Sequence, residues 1–155
     1  MNLVRKGRGF TLIEVLIAVA IVGLLTAIAL PSYQEHINKG RRAEGKSALL
    51  KTIQLQERFY TANGTYTTDV GPLYGLTGAT ALSGENPSVE PGVGDGWYTL
   101  SANSTACGAD GLQVCVTVVA TPRNGFVDAR CGVLSLNSRG VQGETGSETV
   151  QYCWR

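Results

Sequence analysis

Four cysteines are the side chains whose chemistry is most readily inferred from their number and spacing. All of them lie in the last 49 residues, at Cys107, Cys115, Cys131 and Cys153. An even number clustered in one segment indicates two disulfides and an oxidising compartment. A zinc site is disfavoured, because there is no Cys-x-x-Cys pair and the single histidine, His36, is distant in sequence. Four cysteines allow three pairings, and their number alone leaves all three open.

Catalytic side chains are not grouped in any familiar pattern. The 12 carboxylates are scattered and no serine lies in a nucleophile-elbow motif. The one histidine follows a long apolar run, where a surface position is the simplest interpretation. We therefore expect no enzymatic activity, no cofactor and no bound metal.

One carboxylate, Glu14, lies inside that apolar run. From Phe10 to Leu30 there are 21 residues, and Glu14 is the only charged one. At about 1.5 Å of rise per residue, a helix of this length spans the hydrocarbon core of a bilayer. A charge there is costly and is usually retained for function. Bases without acids precede the run, which favours a cytoplasmic N-terminus.

Two ordinary interpretations of the run are incomplete. A secretory signal peptide could use the small residues at 27–29 for cleavage, but the run is too long for an h-region and Pro31 follows too closely. A plain membrane anchor explains the length, but neither Glu14 nor the junction between Gly9 and Phe10.

The residues Gly9-Phe10-Thr11-Leu12-Ile13-Glu14 resemble the processing motif of type IV pilins and their secretion-system relatives. In that family a prepilin peptidase cuts after the glycine and methylates the new N-terminal phenylalanine. The resemblance implies a leader at 1–9, cleavage between Gly9 and Phe10, N-methylation of Phe10, and a role for Glu14 in assembly. It implies three partners: the peptidase, other pilin subunits through the N-terminal helix, and an inner-membrane assembly platform. The subunit would span the inner membrane once, with its N-terminus cytoplasmic, and then enter an extracellular pilus.

The segment after the apolar run is amphipathic. Leu49, Ile53 and Tyr60 recur at helical spacings, and Asn63-Gly64 is a plausible helix end. One helix of about 50 residues is the simplest assembly of these pieces. Gly23 and Pro31 are its weak points. In assembled pili of the family, the stretch between such a glycine and proline can lose its helical hydrogen bonds, which assigns Gly23 and Pro31 to assembly.

The remainder predicts a loop followed by a sheet. Residues 64–96 hold eight glycines, three prolines and only negative charges, which is typical of a long surface loop. Strands are expected at 97–103, 112–120, 131–136 and 150–154, and a polar loop at 137–149. An antiparallel sheet packed on the second half of the helix is an α+β fold, and it resembles the globular pilin head. The domains are therefore expected at 1–9, 10–31 and 32–155.

Sequence-nearest pairing would join Cys107 to Cys115 across a glycine-containing turn and Cys131 to Cys153 around the C-terminal loop. The second pair resembles the bridge that bounds the C-terminal region of many type IV pilins. We favour this pairing, while a Cys115–Cys131 bridge between neighbouring strands stays open.

The resemblance leaves several kinds of subunit open. A type II secretion pseudopilin shares the N-terminal motif, but four cysteines count against it. The run from Cys131 to Val141 and the ending Cys-Trp-Arg are similar to minor pilins of Gram-negative type IV pili, so a minor pilin is favoured over a major one. Adhesion, twitching motility and DNA uptake are the functions implied.

Charge argues against strong nucleic-acid binding. Residues 32–62 carry six bases and three acids, whereas residues 63–155 carry four bases and eight acids. An acidic head opposes binding to phosphates, so we expect weak DNA affinity and keep a DNA-binding uptake pilin as an alternative. A local patch of Arg123, Arg130 and Arg139 stays possible. The basic stretch at 39–42 is interpreted as solvated or subunit-facing, with acids at 35 and 44 or on neighbours as partners.

Overall fold

A computed structural model of the protein describes residues 10–75, 82–83, 96–103, 107 and 111–155. Contacts divide the chain into two units, Met1–Ile37 and Asn38–Arg155. The predicted leader and most of the predicted 64–96 loop lie outside the described residues. Within that loop there is one turn of 3-10 helix, Pro72–Tyr74, and a two-residue strand, β1, Leu82–Ser83.

The long helix, α1, runs from Leu12 to Asn63 and contains 52 residues. Its N-terminal part is long and apolar enough to cross a membrane. The helix ends where predicted, because Gly64 adopts a φ of +71° and its amide donates to the Tyr60 carbonyl at 2.8 Å. A left-handed residue after the last turn satisfies a carbonyl that the helix would leave unpaired.

The sheet is antiparallel, and its strands follow one another in sequence order from β1 to β5. The remaining strands are β2 (Tyr98–Asn103), β3 (Thr117–Pro122), β4 (Leu134–Asn137) and β5 (Gln142–Glu144). A short helix, α2 (Val150–Trp154), follows. The α+β architecture predicted from the sequence is confirmed.

The core lies where the inward face of the sheet meets the second half of α1. Leu100 pairs with Ala120, and Ala120 with Leu134, so three fully buried side chains share one face across three strands. Ala48 and Leu49 of α1 pack in the same cluster. Since side chains alternate across a strand, the paired Val118 and Leu136 lie on the same face and are buried as well.

The strand expected at 112–120 begins later, at Thr117. The amides of Val114 and Cys115 both donate to the Gly111 carbonyl, so residues 111–115 form a turn. Val114, expected on the buried face, is 54% exposed. The alternating pattern was wrong here because local turn hydrogen bonds replaced the strand ladder.

Two expectations about the C-terminal segment were also wrong. Residues 150–154 form the helix α2 rather than a closing strand, because Thr149 caps it by accepting a hydrogen bond from the Tyr152 amide. Residues 137–149 are not entirely loop, because β5 lies inside them. The Asn137 side chain accepts from the amides of Arg139 and Val141 at 3.0 and 2.8 Å, which fixes the tight turn between β4 and β5.

Candidate functional site

The N-terminal end of α1 carries a reciprocal pair of hydrogen bonds. The Glu14 amide donates to Thr11 Oγ1 at 3.3 Å, and the Thr11 amide donates to Glu14 Oε2 at 3.5 Å. This is a capping box, which satisfies amides that the first turn of a helix leaves unpaired. The spacing Thr-x-x-Glu, here Thr11 to Glu14, is the signature of this box in the sequence and would have predicted the start of α1. The carboxylate also lies at the positive end of the helix dipole. Its expected approach to the Phe10 amine stays a prediction.

Among the side chains of the first unit that the structure describes, at 10–30 and 33–37, the apolar segment that follows has no packing partner. Its large apolar side chains, from Phe10 to Leu30, are all between 51% and 83% exposed. An apolar surface of this extent on a protein is covered by lipid or by other subunits. The first unit is therefore suited to a membrane or to a helical assembly rather than to water.

The predicted weak points of α1 are helical in the structure. The helix continues through Gly23 and Pro31, and the Thr26 hydroxyl donates to the carbonyls of Val22 and Gly23, both at 2.9 Å. A threonine hydroxyl in this position favours slight bending of a helix. Loss of helical hydrogen bonds between Gly23 and Pro31 stays a prediction for the filament.

Both pairs of cysteines are bonded within the second unit. Cys107 is joined to Cys115, with Cα atoms 5.9 Å apart, and Cys131 is joined to Cys153, with Cα atoms 5.6 Å apart. Cys131 and Cys153 are buried in the core cluster. The second bridge therefore fastens α2 to the start of the segment that leads into β4.

The basic stretch of α1 was expected to be solvated or subunit-facing, but part of it is buried within the second unit. Arg42 is buried, and its Nε and Nη2 atoms donate to the two carboxylate oxygens of Asp128 at 2.6 and 2.9 Å. Asp128 also accepts from the amides of Arg130 and Cys131. Burial alone would raise the pKa of Asp128, but the hydrogen bonds from Arg42 and these amides outweigh it and lower the pKa below its usual value.

Two neighbours of Arg42 contact Trp97 instead of each other. The guanidinium of Arg41 lies 3.8 Å from the Trp97 ring centroid, and the Glu44 carboxylate accepts from the Trp97 amide at 2.8 Å. Glu44 was one of the alternative partners expected for the basic stretch, beside Glu35 and acids on neighbouring subunits. Here it holds the chain just before β2 against α1.

Arg139 lies at the opposite end of the sheet from Arg123 and Arg130, the other two arginines considered as a nucleic-acid patch. Arg123 follows the end of β3 and Arg139 follows the end of β4, and these strands are antiparallel. Four residues of strand separate the two positions by about 14 Å. Arg130 lies before β4, donates to the Tyr152 hydroxyl and pairs with Glu148. The arrangement does not form one continuous patch.

Metal ligands are not assembled in the described part of the chain, where no group of three or more histidine, cysteine, aspartate or glutamate residues is placed to hold an ion. His36 is exposed on α1.

Comparisons with known proteins match both parts of the chain. The family described as type IV minor pilin ComP, DNA uptake sequence receptor, matches residues 31–135. The prokaryotic N-terminal methylation motif matches residues 4–30.

Curated relatives are fimbrial proteins. Fimbrial protein Q of Moraxella bovis is 42% identical over 106 residues, which are 63% of this chain and 65% of that protein. A fimbrial protein of Moraxella nonliquefaciens is 34% identical over 98 residues, which are 59% of this chain and 64% of that protein. The chain thus matches somewhat less than two thirds of the length of these relatives. Among solved structures, a type IV pilin from Shewanella oneidensis is 26% identical, with a TM-score of 0.41 over 67% of this chain and 88% of that one.

Proposed function

Because the chain belongs to the type IV pilins, in the family described as type IV minor pilin ComP, DNA uptake sequence receptor, we propose that it is a minor subunit of a type IV pilus. The match to the minor-pilin family over residues 31–135 favours a minor subunit. The observation that carries the role as a pilus subunit is the apolar segment after Gly9. It starts with a processing motif, contains one carboxylate, and leaves its large apolar side chains more than half exposed among the described residues. Such a segment requires lipid before assembly and neighbouring helices after it.

In this proposal residues 1–9 are a leader that prepilin peptidase removes, and Phe10 is the N-methylated first residue. The subunit spans the inner membrane once with its N-terminus in the cytoplasm, since bases precede the apolar run. Its partners are the peptidase, other pilins through the N-terminal helix, and the inner-membrane assembly platform. Its contribution is structural rather than enzymatic, and the head carries the disulfides Cys107–Cys115 and Cys131–Cys153 into an oxidising compartment.

Glu14 provides the test of assembly. In a filament its carboxylate would meet the amine of Phe10, on its own or a neighbouring subunit, because pairing offsets the cost of placing either charge among apolar helices. We expect a Glu14→Ala subunit to insert and to lose its leader, yet to be depleted from sheared pili. A Glu14→Gln subunit, which keeps shape without charge, should be depleted as well. Normal incorporation of both variants would contradict the proposed assembly role, and failure of cleavage would assign Glu14 to peptidase recognition.

Abundance separates a minor subunit from a major one. Quantitative mass spectrometry of sheared pili should find this chain at a small fraction of the main subunit. Its deletion should reduce the number of pili rather than remove their bulk protein. A pilus fraction composed mainly of this chain would make it the major subunit.

A second candidate function is reception of DNA, which the description of the matching family favours. Against high affinity, the head has eight acids and four bases after residue 62, and Arg139 is separated from Arg123 along the sheet. We expect the full chain in mild detergent to bind duplex DNA weakly in gel shifts at about 150 mM salt, near physiological ionic strength. Submicromolar binding that weakens steeply with salt would make DNA reception the primary function.

A further inference from the structure

One end of the second unit is strongly basic. Residues 38–155 carry ten bases and ten acids. Seven of the bases and three of the acids lie in four segments, 38–46, 96–97, 122–131 and 148–155. These segments, which we call the basic end, therefore have a surplus of four bases, and the other residues of the unit have a surplus of four acids.

Contacts with α1 bring the four segments together. The Arg41 guanidinium lies 3.8 Å from the Trp97 ring centroid. The Arg42 guanidinium pairs with Asp128 at 2.6 Å and lies 5.6 Å from the Tyr152 ring centroid. All three contacts are made by the first turns that α1 contributes to this unit. The surplus of positive charge therefore belongs to one region of the unit rather than to scattered segments.

The acids of the basic end are engaged within the chain. Lys39, by contrast, is exposed and forms no ion pair with a side-chain carboxylate in the described part of the chain. An external anion can therefore approach this end without competition from a local carboxylate at Lys39. The engaged acids are Asp128, which accepts from Arg42, Glu44, which accepts from the Trp97 amide, and Glu148, which pairs with Arg130.

The basic end also exposes apolar surface. Val127 is 82% exposed, more than any other large apolar side chain described in the second unit. The two tryptophans of the protein, Trp97 and Trp154, both lie in the basic end and are half-buried. Cations beside tryptophan rings are typical of a membrane–water interface, where such rings lie at the level of the lipid headgroups.

Chain connectivity keeps the basic end within reach of a membrane. The apolar span ends at Leu30, and the second unit begins eight residues later, at Asn38. Eight residues reach at most about 29 Å even when they are fully extended. The basic end can therefore touch the surface of any bilayer that the span crosses. A negative membrane surface attracts lysine and arginine side chains that come within about one Debye length of it.

We propose that the basic end binds the phosphates of anionic lipid headgroups at the outer surface of the inner membrane, before the subunit enters a filament. This inference rests on the proposed function, which places residues 10–30 across that membrane. Charge complementarity supports the partner, because a surplus of four bases meets a surface of negative phosphates. Val127 and the tryptophan rings then lie at the headgroup level, where their apolar surface is partly removed from water.

Lipid headgroups suit the basic end better than a nucleic-acid backbone. Both offer phosphates to lysine and arginine. Only the lipid interface also offers apolar surface, which the exposed Val127 requires. The tether to the apolar span holds the basic end close to lipid at all times before assembly, whereas DNA must be encountered by diffusion.

Quenching of tryptophan fluorescence in lipid nanodiscs tests the contact. The full chain is inserted into discs of phosphatidylcholine, with or without phosphatidylglycerol, that contain a lipid with a nitroxide on its headgroup. Trp97 and Trp154 are the native reporters, because both lie in the basic end. We expect stronger quenching in the discs with phosphatidylglycerol, and we expect added salt to reduce it to the level of the neutral discs. Equal quenching in the two kinds of disc would overturn the inference.

Two charge variants with the same net charge provide the matched control. Lys39→Gln with Arg155→Gln removes two bases of the basic end, and Lys51→Gln with Arg58→Gln removes two exposed bases outside it. The first variant should lower the ratio of lipid-bound to free heads by about fivefold for each base removed. The second should leave the ratio unchanged. An equal decrease in both variants would mean that net charge alone is responsible, which would overturn the inference.

A second pair of variants tests the apolar part of the surface. Val114 is 54% exposed in the turn at 111–115, and this turn lies at the other end of α1, where the Tyr60 hydroxyl donates to the Gln113 carbonyl. Val127→Asp should lower the quenching, because it places a negative charge against lipid phosphates, and Val114→Asp should not. If Val127→Asp is quenched as strongly as the wild-type chain, the inference is wrong.

Two further outcomes separate this inference from its alternative and from the proposed function. Addition of a short DNA duplex should leave the quenching in phosphatidylglycerol discs unchanged, and its relief by DNA would assign the basic end to nucleic acid. The chain should also purify together with the discs. A chain that purifies with the discs but shows no charge-dependent quenching overturns only the inference. A chain that does not enter the discs contradicts the proposed membrane span and the inference with it.

Discussion

Arg42 and Asp128, which are 86 residues apart in the sequence, form a two-pronged buried ion pair with contacts of 2.6 and 2.9 Å. Their side chains are 3% and 1% exposed. The pair joins the middle of α1 to the segment that precedes β4, next to the Cys131–Cys153 bridge. The geometry is that of a charge-assisted, bidentate contact, which is stronger and more directional than a single hydrogen bond.

Removal of one partner of this pair should be severely destabilising. We expect Asp128→Asn or Arg42→Ala to lower the free energy of unfolding by about 3–5 kcal/mol, because the remaining group is left buried without compensation. The double variant Arg42→Met with Asp128→Leu should recover much of the loss. Urea unfolding of the full chain in detergent, followed by tryptophan fluorescence, measures this. Ordinary surface substitutions change the free energy of unfolding by about ±0.5 kcal/mol. If both single variants unfold within about 1 kcal/mol of wild type, they behave like surface substitutions, and the assignment of a buried ion pair is contradicted.

The same carboxylate predicts how stability depends on pH. The pKa of Asp128 is lowered in the folded chain below its ordinary value of 3.8. A carboxyl with a lowered folded pKa stabilises fully above its unfolded pKa, and this contribution is lost as the pH falls through the folded value. Stability should therefore be level from neutral pH to about pH 5 and decline below 3.8. In Asp128→Asn the free energy of unfolding should fall less steeply below pH 3.8 than in wild type. If the variant loses stability in acid as steeply as wild type, the loss belongs to other groups.

Two glycines of α1 should respond oppositely to substitution. A Cβ at Gly45 would lie 3.0 Å from the ring of Tyr98, whereas nothing lies within 4 Å of a Cβ at Gly40. Gly45→Val should destabilise by about 1–3 kcal/mol through overpacking against this fully buried ring. Gly40→Ala should stabilise by up to about 1 kcal/mol, since it restores helix propensity. Thermal unfolding of both variants is the measurement, and equal shifts would mean that α1 does not pack on Tyr98.

The disulfides should contribute unequally. The bridges close segments with sequence separations of 22 for Cys131–Cys153 and 8 for Cys107–Cys115. Chain entropy predicts contributions of about 3.4 and about 2.5 kcal/mol, respectively. Replacement of Cys131 and Cys153 by serine should therefore lower the unfolding temperature more than replacement of the other pair. Non-reducing peptide mapping checks the connectivity, and a Cys115–Cys131 peptide would contradict it.

The sequence predicted the elements with strong local signals. The length of α1, its end at Asn63, and the inward positions of Leu134 and Leu136 all follow from hydrophobic periodicity and from the turn preference of glycine. The segments at 111–115 and 150–154 were misjudged because alternation of apolar residues does not reveal turn hydrogen bonds or the Thr149 cap.

Polar contacts between segments that are distant in the sequence could not be predicted from it. Gln56 is fully buried on α1, and its side-chain amide donates to the Thr67 carbonyl and accepts from the Thr67 amide. Periodicity marks such a position as polar and therefore exposed. Arg42 was misjudged for the same reason, because its partner Asp128 is adjacent only after folding. The cavity lined by residues of α1 and α2, among them Arg42, Lys46 and Tyr152, likewise forms only after folding.

The most direct test of the central claim is the N-terminus of the protein recovered from sheared pili. Mass spectrometry of the N-terminal peptide should show a chain that begins at Phe10 and carries one methyl group on its amine. This result would establish both cleavage after Gly9 and residence in the filament. Retention of Met1, a start near Leu30, or absence of the chain from the pilus fraction would contradict its role as a processed pilus subunit.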